Sequence, residues 1–159
     1  MKFFVINRVQ ALSPTTHLQF NESHIIISIA APEYPDYKLP IRTISCKDVL
    51  YLRFHDVETD KPKSKEDVKG YTIEPRGDLI PFNDNMAKEI IEFVLKYKDD
   101  IDLIVVHCDG GFSRSAGTAL ALSNILNNGK AEDYVKSINT LALYNRFVYN
   151  KIINVYYIN

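Results

Sequence analysis

A cysteine and an arginine in the last third of the chain have the spacing of an anion-binding loop. Cys108 and Arg114 are separated by five residues, of which Gly110 and Gly111 are glycines. Successive backbone N–H groups in such a turn point inward and bind anions, and glycine permits the unusual backbone angles that the turn needs. An arginine at its end donates two parallel hydrogen bonds to phosphate oxygens. The pattern therefore predicts a phosphate-binding loop with a sulfur atom beneath the phosphorus.

Cys108 is predicted to be the nucleophile of this loop. The inward amides, the start of the following helix and Arg114 surround its sulfur with positive charge, which favours the reactive thiolate. The same donors would stabilise the charge on a phosphoryl group during its transfer. Neither a Gly-Lys-Ser/Thr ending nor GxGxxG spacing is present, so a nucleotide-binding loop is not indicated. We expect phosphoryl transfer that needs no metal and no cofactor.

Residues beside the loop are expected to support it. His107 is expected to orient the loop through hydrogen bonds to its carbonyl groups, and a core histidine without that role is the less favoured alternative. Ser115 would donate a hydrogen bond to the departing sulfur, cap the helix, or do both. Ser113 would brace the loop or the helix start. The predicted phosphate-binding residues are Asp109, Gly110, Gly111, Phe112, Ser113 and Arg114.

The loop must be positioned by a strand before it and a helix after it. The near-continuous apolar run IDLIVVH from Ile101 is typical of a central strand that is buried on both faces. Three earlier runs also predict strands: MKFFVINRV, HIIISIAA from His24 and VLYLRFHD from Val49. The segment NDNMAKEIIEFVLKYK has helical periodicity, with Asn83 or Asp84 as its cap.

Three more helices are predicted beyond the loop. They run from Ser113 to about Asn128 before Gly129, from Ala131 to Leu141, and from near Asn145. A chain of 159 residues with 46% hydrophobic content suits one domain with one core. We therefore predict a single α/β domain over residues 1–159, with a mainly parallel central sheet flanked by helices.

The composition argues against several classes of protein. Nineteen basic and 20 acidic residues leave a net charge of -1 and no long basic run, so binding to nucleic acid or a membrane is not expected. The sequence has no apolar run long enough for a transmembrane helix, and Asn7 and Arg8 interrupt the start where a signal peptide would be apolar. We expect a cytoplasmic monomer.

The chain has two cysteines, too few for a disulfide framework. A bond between Cys46 and Cys108 would require the fold to bring them together, and a buried strand position is the favoured interpretation of Cys46.

The motif HCDGGFSRS resembles the H-C-x5-R-S/T signature of cysteine-dependent protein tyrosine phosphatases, and its SRS ending is most similar to the dual-specificity branch. More weakly, the resemblance extends from about Val49 to Tyr149, and NRFVYNKI is similar to an Asn-Arg helix start in bacterial and viral relatives. It implies a dual-specificity phosphatase fold. It also implies hydrolysis of phosphotyrosine, phosphoserine or phosphothreonine in proteins, or of a small phosphomonoester, through a phosphocysteine intermediate.

The resemblance further implies an aspartate general acid on a loop that follows the strand before the long helix. Asp56, in LYLRFHDVETD, occupies this place, with Asp60 and Asp84 as alternatives. It would protonate the leaving oxygen and then activate water to hydrolyse the phosphocysteine. The polar segment from Lys61 to Asp78 lengthens this part of the chain relative to the family pattern. We expect it to be a solvated surface loop, and the alternative is a segment that folds over the cleft and contacts the substrate.

Other activities remain open at this point. Rhodanese-like sulfurtransferases and arsenate reductases also use a cysteine and arginine loop, but the small-residue helix and Ser115 favour a phosphatase. A pseudophosphatase would bind phosphate without turnover. A phosphoinositide or an RNA 5′-phosphate is an alternative substrate, although the loop interior contains no lysine or arginine to favour a highly anionic one.

Overall fold

A central sheet of parallel strands organises the chain, and the computed structural model describes residues 1–41, 43–71, 73–130, 132–137 and 143–158. Neighbouring strands pair in the order β3-β2-β4-β1-β5, and each pair is parallel. The strands are β1 (Lys2–Asn7), β2 (His24–Ala30), β3 (Cys46–Arg53), β4 (Leu103–Cys108) and β5 (Val135–Ser137). Because the strands are parallel, the loops that follow them meet at one edge of the sheet.

Helices flank the sheet. They are α1 (Arg8–Ala11), α2 (Pro14–His17), α3 (Asp84–Tyr97), α4 (Arg114–Leu126) and α5 (Arg146–Ile158). Asn83 caps α3, since its side chain accepts a hydrogen bond from the Met86 N–H. Beyond α4, Asn128 and Gly129 adopt positive φ angles of 54° and 82°, which turn the chain out of the helix. No helix within the described ranges has the length and apolar composition to cross a membrane.

The apolar residues form a core on each side of the sheet. All residues of β2 and β4 are buried, as expected for parallel strands covered on both faces. On one face the strands pack against buried positions of α3, α4 and α5, such as Ile90, Leu120 and Ile152. On the other face Ala11 of α1 and Leu39 join a smaller cluster. Both clusters hold β4, and so the start of the phosphate loop, in a fixed position.

The structure confirms the α/β class and the mainly parallel sheet, and it differs from the sequence prediction in three elements. The prediction of a helix over residues 131–141 is wrong for the part that the structure describes. A 3₁₀ turn spans Glu132–Tyr134, and β5 follows it. Residues 131 and 138–141 of that prediction lie outside the described residues. Val135 instead pairs with Phe3 at the sheet edge. The helices α1 and α2 were not predicted, because four residues are too short to show periodicity.

Candidate active site

The predicted phosphate loop, residues 109–113, connects the end of β4 to the start of α4. The loop begins beside β1, because Asn7 of β1 is paired in register with Cys108 of β4. Gly111 has a φ of +73°, and a Cβ atom there would lie 2.8 Å from the Asn7 nitrogen and the Ile6 carbonyl. Both the backbone angle and the close approach therefore require glycine at this position. Gly110 is crowded by the ring of Phe112 rather than by backbone.

The Cys108 side chain is enclosed by the loop and only 1% exposed. Its Sγ atom lies 3.0 Å from Ser115 Oγ and accepts a hydrogen bond from the Gly111 N–H at 3.3 Å. The structure thus places the Ser115 hydroxyl beside the sulfur. These two contacts are suited to stabilise negative charge on sulfur.

Arg114 is also buried, and two of its terminal N–H groups are already engaged. One donates to the Phe54 carbonyl oxygen at 2.7 Å, and another donates to the Asp109 carboxylate. The buried Nε has no hydrogen-bond partner among the described residues. Burial alone would lower the pKa of Arg114, but nearby Cys108, Asp109 and Asp56 reverse that effect and raise it. The guanidinium is therefore a fixed cation.

Asp56 lies on the loop after β3, next to the phosphate loop. Its Oδ1 accepts hydrogen bonds from Ser113 Oγ and from Asn145 Nδ2, each 2.8 Å long. Of the two alternatives, Asp60 is exposed, and Asp84 starts α3, where it pairs with Lys151 at 2.9 Å. The structure therefore brings Asp56, and neither alternative, into the cleft beside Arg114.

Asn145 connects more parts of the site than its predicted role as a helix cap required. Its Oδ1 does cap α5, because it accepts a hydrogen bond from the Val148 N–H at 2.9 Å. Its Nδ2 donates to Asp56 and also to the Val57 carbonyl oxygen at 3.1 Å, while its backbone N–H donates to the Ser113 carbonyl at 3.0 Å. No local signal reports these bonds, because Asn145 is 89 positions from Asp56 in sequence.

His107 is fully buried beneath the loop. Its Nε2 lies 2.7 Å from Ser28 Oγ, and its Nδ1 is 3.5 Å from the Cys108 carbonyl oxygen. Burial is the main cause that lowers the pKa of His107 to about 4, so the ring is neutral at neutral pH. The contact with the loop carbonyl is at the limit of a hydrogen bond, and the closer partner is the core serine.

Residues 57–71 and 73–81, named here the roof segment, form one wall of the cleft. Its charged part, residues 61–67, is mostly exposed as predicted. Val68 is buried, however, and the cleft beside Arg114 is also lined by Tyr71, Ile73 and Pro75. The expectation of a wholly solvated loop is therefore wrong for this part. Val68 turns inward here because the cleft gives it a surface to cover, whereas the Tyr71 side chain remains exposed.

A buried histidine and glutamate hold the roof segment in place. The Ile80 N–H donates to His55 Nδ1 at 2.8 Å, so the ring proton is on Nε2, which lies 2.9 Å from Glu33 Oε1. The same oxygen accepts a hydrogen bond from the Arg76 N–H at 2.9 Å. Burial would raise the pKa of Glu33, but the bonds from Arg76 and His55 lower it. His55 is thus fully occupied by structural contacts.

The two cysteines lie far apart in the sheet. His24 of β2 is level both with Cys46, at the start of β3, and with Leu103, at the start of β4. Cys108 is five residues further along β4, which corresponds to about 16 Å along the strand. A disulfide requires Cα atoms within about 7 Å, so these two cysteines cannot form one in this fold. Burial raises the pKa of Cys46 to about 11.

Comparisons with known proteins identify the fold. No protein-family model and no curated protein matches the sequence. A crystal structure of PTPMT1 is similar with a TM-score of 0.51 and 15% sequence identity, over 95% of this chain and 86% of that one. A crystal structure of PTPMT1 in complex with PI(5)P has a TM-score of 0.47 at 15% identity, over 96% and 88%. The five-strand parallel sheet with its flanking helices matches the PTPMT1 phosphatase fold.

Proposed function

We propose that this protein is a cysteine-dependent phosphatase that hydrolyses phosphate monoesters, with phosphorylated proteins as the favoured substrates. The observation that carries the proposal is the buried Nε of Arg114, which has no partner among the described residues. Leaving a buried donor unsatisfied costs about 1–3 kcal/mol, and such groups concentrate at functional sites. A phosphate oxygen held by the loop above Cys108 would satisfy this donor.

The first step transfers the phosphoryl group to sulfur. Cys108 Sγ attacks phosphorus and forms the S–P bond while the P–O ester bond breaks. Arg114 and the loop amides of residues 109–114 stabilise the phosphoryl oxygens. Asp56 gives its proton to the leaving oxygen. Ser113 and Asn145 both donate hydrogen bonds to Oδ1 of Asp56. These bonds would orient the carboxyl group and leave Oδ2 to carry the transferred proton.

The second step returns the enzyme to its starting state. Asp56, now a carboxylate, takes a proton from water, and the water oxygen attacks phosphorus as the S–P bond breaks. Inorganic phosphate leaves, and the sulfur regains its negative charge. Ser115 Oγ and the Gly111 N–H, at 3.0 Å and 3.3 Å from Sγ, stabilise that charge. In this mechanism Asp56 carries the transferred proton in both steps, and Ser115 and the Gly111 N–H stabilise the negative charge on sulfur.

The fold supports this proposal, because a loop at the carboxyl end of a central parallel strand is a usual ligand-binding position. Sulfur transfer would not need the network of Asp56, Ser113 and Asn145, which supports phosphoryl transfer over the sulfurtransferase alternative. A pseudophosphatase would also retain the phosphate loop. A measurement of substrate hydrolysis distinguishes it from an active phosphatase.

The test is hydrolysis of para-nitrophenyl phosphate in the presence of a chelator. The wild type should be active, and Cys108→Ser should be reduced to background. Asp56→Asn should lower the rate by about 10²–10⁴-fold, the usual contribution of a general acid. Asp60→Asn removes the same charge at an exposed position and should retain activity. A wild type that binds orthovanadate without hydrolysing the substrate would contradict the enzyme proposal and indicate a pseudophosphatase.

A further inference from the structure

Arg8 places a positive charge beside the phosphate loop. It directly follows β1, and its backbone N–H donates to the Asp109 carbonyl oxygen at 3.2 Å. None of the ion pairs between described residues includes Arg8. The Asp109 carboxylate is paired with Arg114. The charge of Arg8 is therefore not neutralised by a side-chain partner in the described part of the molecule.

The Arg8 guanidinium is held by aromatic rings. Its central carbon lies 3.8 Å from the centroid of the Tyr34 ring and 5.6 Å from that of Tyr37. Its Nε is buried and has no hydrogen-bond partner among the described residues. Stacking of this kind stabilises a cation without consuming its hydrogen-bond donors. Because the group is already ordered, a ligand that binds it loses little conformational entropy.

The loop that carries Tyr34 is itself fixed beside the phosphate site. Arg53 donates hydrogen bonds to three carbonyl oxygens of this loop, those of Ala31 at 3.3 Å, Tyr34 at 3.1 Å and Pro35 at 3.1 Å. Ala31 also lines the cleft that contains Arg114. Arg8 and Tyr34 thus form a rigid, positively charged platform at the border of the proposed active site.

We propose that Arg8 and Tyr34 form a second anion-binding subsite that selects phosphopeptides with a carboxylate next to the phosphorylated residue. This proposal rests on the proposed phosphatase function. One guanidinium matches the single charge and planar shape of one carboxylate, which it binds through two parallel hydrogen bonds. Residues 109–113 of the loop contain no lysine or arginine, so the platform adds the positive charge that the loop interior lacks. The Tyr34 ring supplies apolar contact for the peptide chain.

The experiment compares two phosphotyrosine peptides that differ only in the residues flanking the phosphotyrosine, which are Glu in one and Gln in the other. The wild type should hydrolyse the Glu peptide with a kcat/KM about five- to tenfold higher. Arg8→Gln should abolish this preference, and Arg8→Lys should retain part of it. Lys88→Gln, the same charge change at an exposed position on α3, should keep the full preference. Higher ionic strength should reduce it, as expected for partly exposed charges.

The results separate this inference from the proposed function. Equal kcat/KM values for the two peptides in the wild type, or a preference that survives in Arg8→Gln, would overturn the subsite alone. Faster hydrolysis when a second phosphorylated residue replaces the flanking Glu would overturn the assignment to a carboxylate. If the wild type hydrolyses neither peptide nor para-nitrophenyl phosphate, the phosphatase proposal fails and the subsite fails with it.

Discussion

In Arg114, different N–H groups of the same guanidinium have different roles. A guanidinium has five N–H donors, and the Phe54 carbonyl and the Asp109 carboxylate each occupy one of them. These bonds hold the group in place, and Nε, which has no partner among the described residues, would be available to a ligand. Asp109 has two opposing effects, because its carboxylate positions Arg114 but also places a negative charge next to the phosphate loop.

The charge of Asp109 should weaken phosphate binding. Asp109→Asn keeps an oxygen that can accept the hydrogen bond from Arg114, but it removes the repulsion between the carboxylate and a bound phosphate. We expect the inhibition constant for inorganic phosphate to fall about fivefold, measured by competition against para-nitrophenyl phosphate. Asp99→Asn, at an exposed position paired with Lys98, should leave the constant unchanged. Weaker inhibition in Asp109→Asn would instead show that positioning of Arg114 dominates.

At the scale of elements, close packing of α4 against the start of α5 sets the position of Asn145. A Cβ atom on Gly117 would lie 2.5 Å from the Asn145 carbonyl oxygen. That backbone atom belongs to the residue that holds Asp56 and caps α5. Glycine is therefore needed in the middle of α4, where it would otherwise be unfavourable.

Gly117→Ala should be destabilising although alanine favours helices. The added methyl group would push α5 away from α4, and overpacking of this kind costs about 1–3 kcal/mol. Urea denaturation should show this decrease in the free energy of unfolding. Activity of the folded variant should fall as well, because Asn145 would shift relative to Asp56. Asn124→Ala, at a half-exposed position on α4, provides the control, and equal stability of the two variants would contradict the packing argument.

The elements also show which parts of the structure a sequence can predict. The strand IDLIVVH, the loop and the helix after it are contiguous, so hydrophobic pattern and glycine placement were sufficient to predict them. Contacts between distant residues leave no local pattern, which is why the bonds of Asn145 and the pairing of His55 with Glu33 were missed. The edge strand β5 has three residues, too few for alternation to be recognised.

For the whole molecule, the buried His107 should make stability depend on pH. An unfolded chain protonates a histidine near its usual pKa of about 6.5, whereas the folded protein holds the pKa of His107 at about 4. Below pH 6.5 the unfolded state therefore binds more protons, and the free energy of unfolding falls as the pH falls. His24, whose pKa is also lowered by burial, acts in the same direction.

Urea denaturation at pH 7 and pH 5 should measure this contribution. His107 should account for a loss of about 2 kcal/mol between pH 7 and pH 5. His107→Gln has no group that titrates in this range, so its stability should decline less than that of the wild type over the same interval. The comparison uses the change with pH, so any general destabilisation by the substitution does not affect it. An identical decline in both proteins would contradict the assignment to His107.

The wide separation of Cys46 and Cys108 determines how the protein would recover from oxidation. An oxidant converts a reactive thiolate to a sulfenic acid, which a neighbouring thiol can capture as a disulfide before further, irreversible oxidation. The chain has two cysteines, and the parallel register keeps them about 16 Å apart along the strand direction. Cys108 therefore has no resolving thiol in its own chain. Its reactivation would depend on an external thiol such as glutathione, which must reach a sulfur that is only 1% exposed.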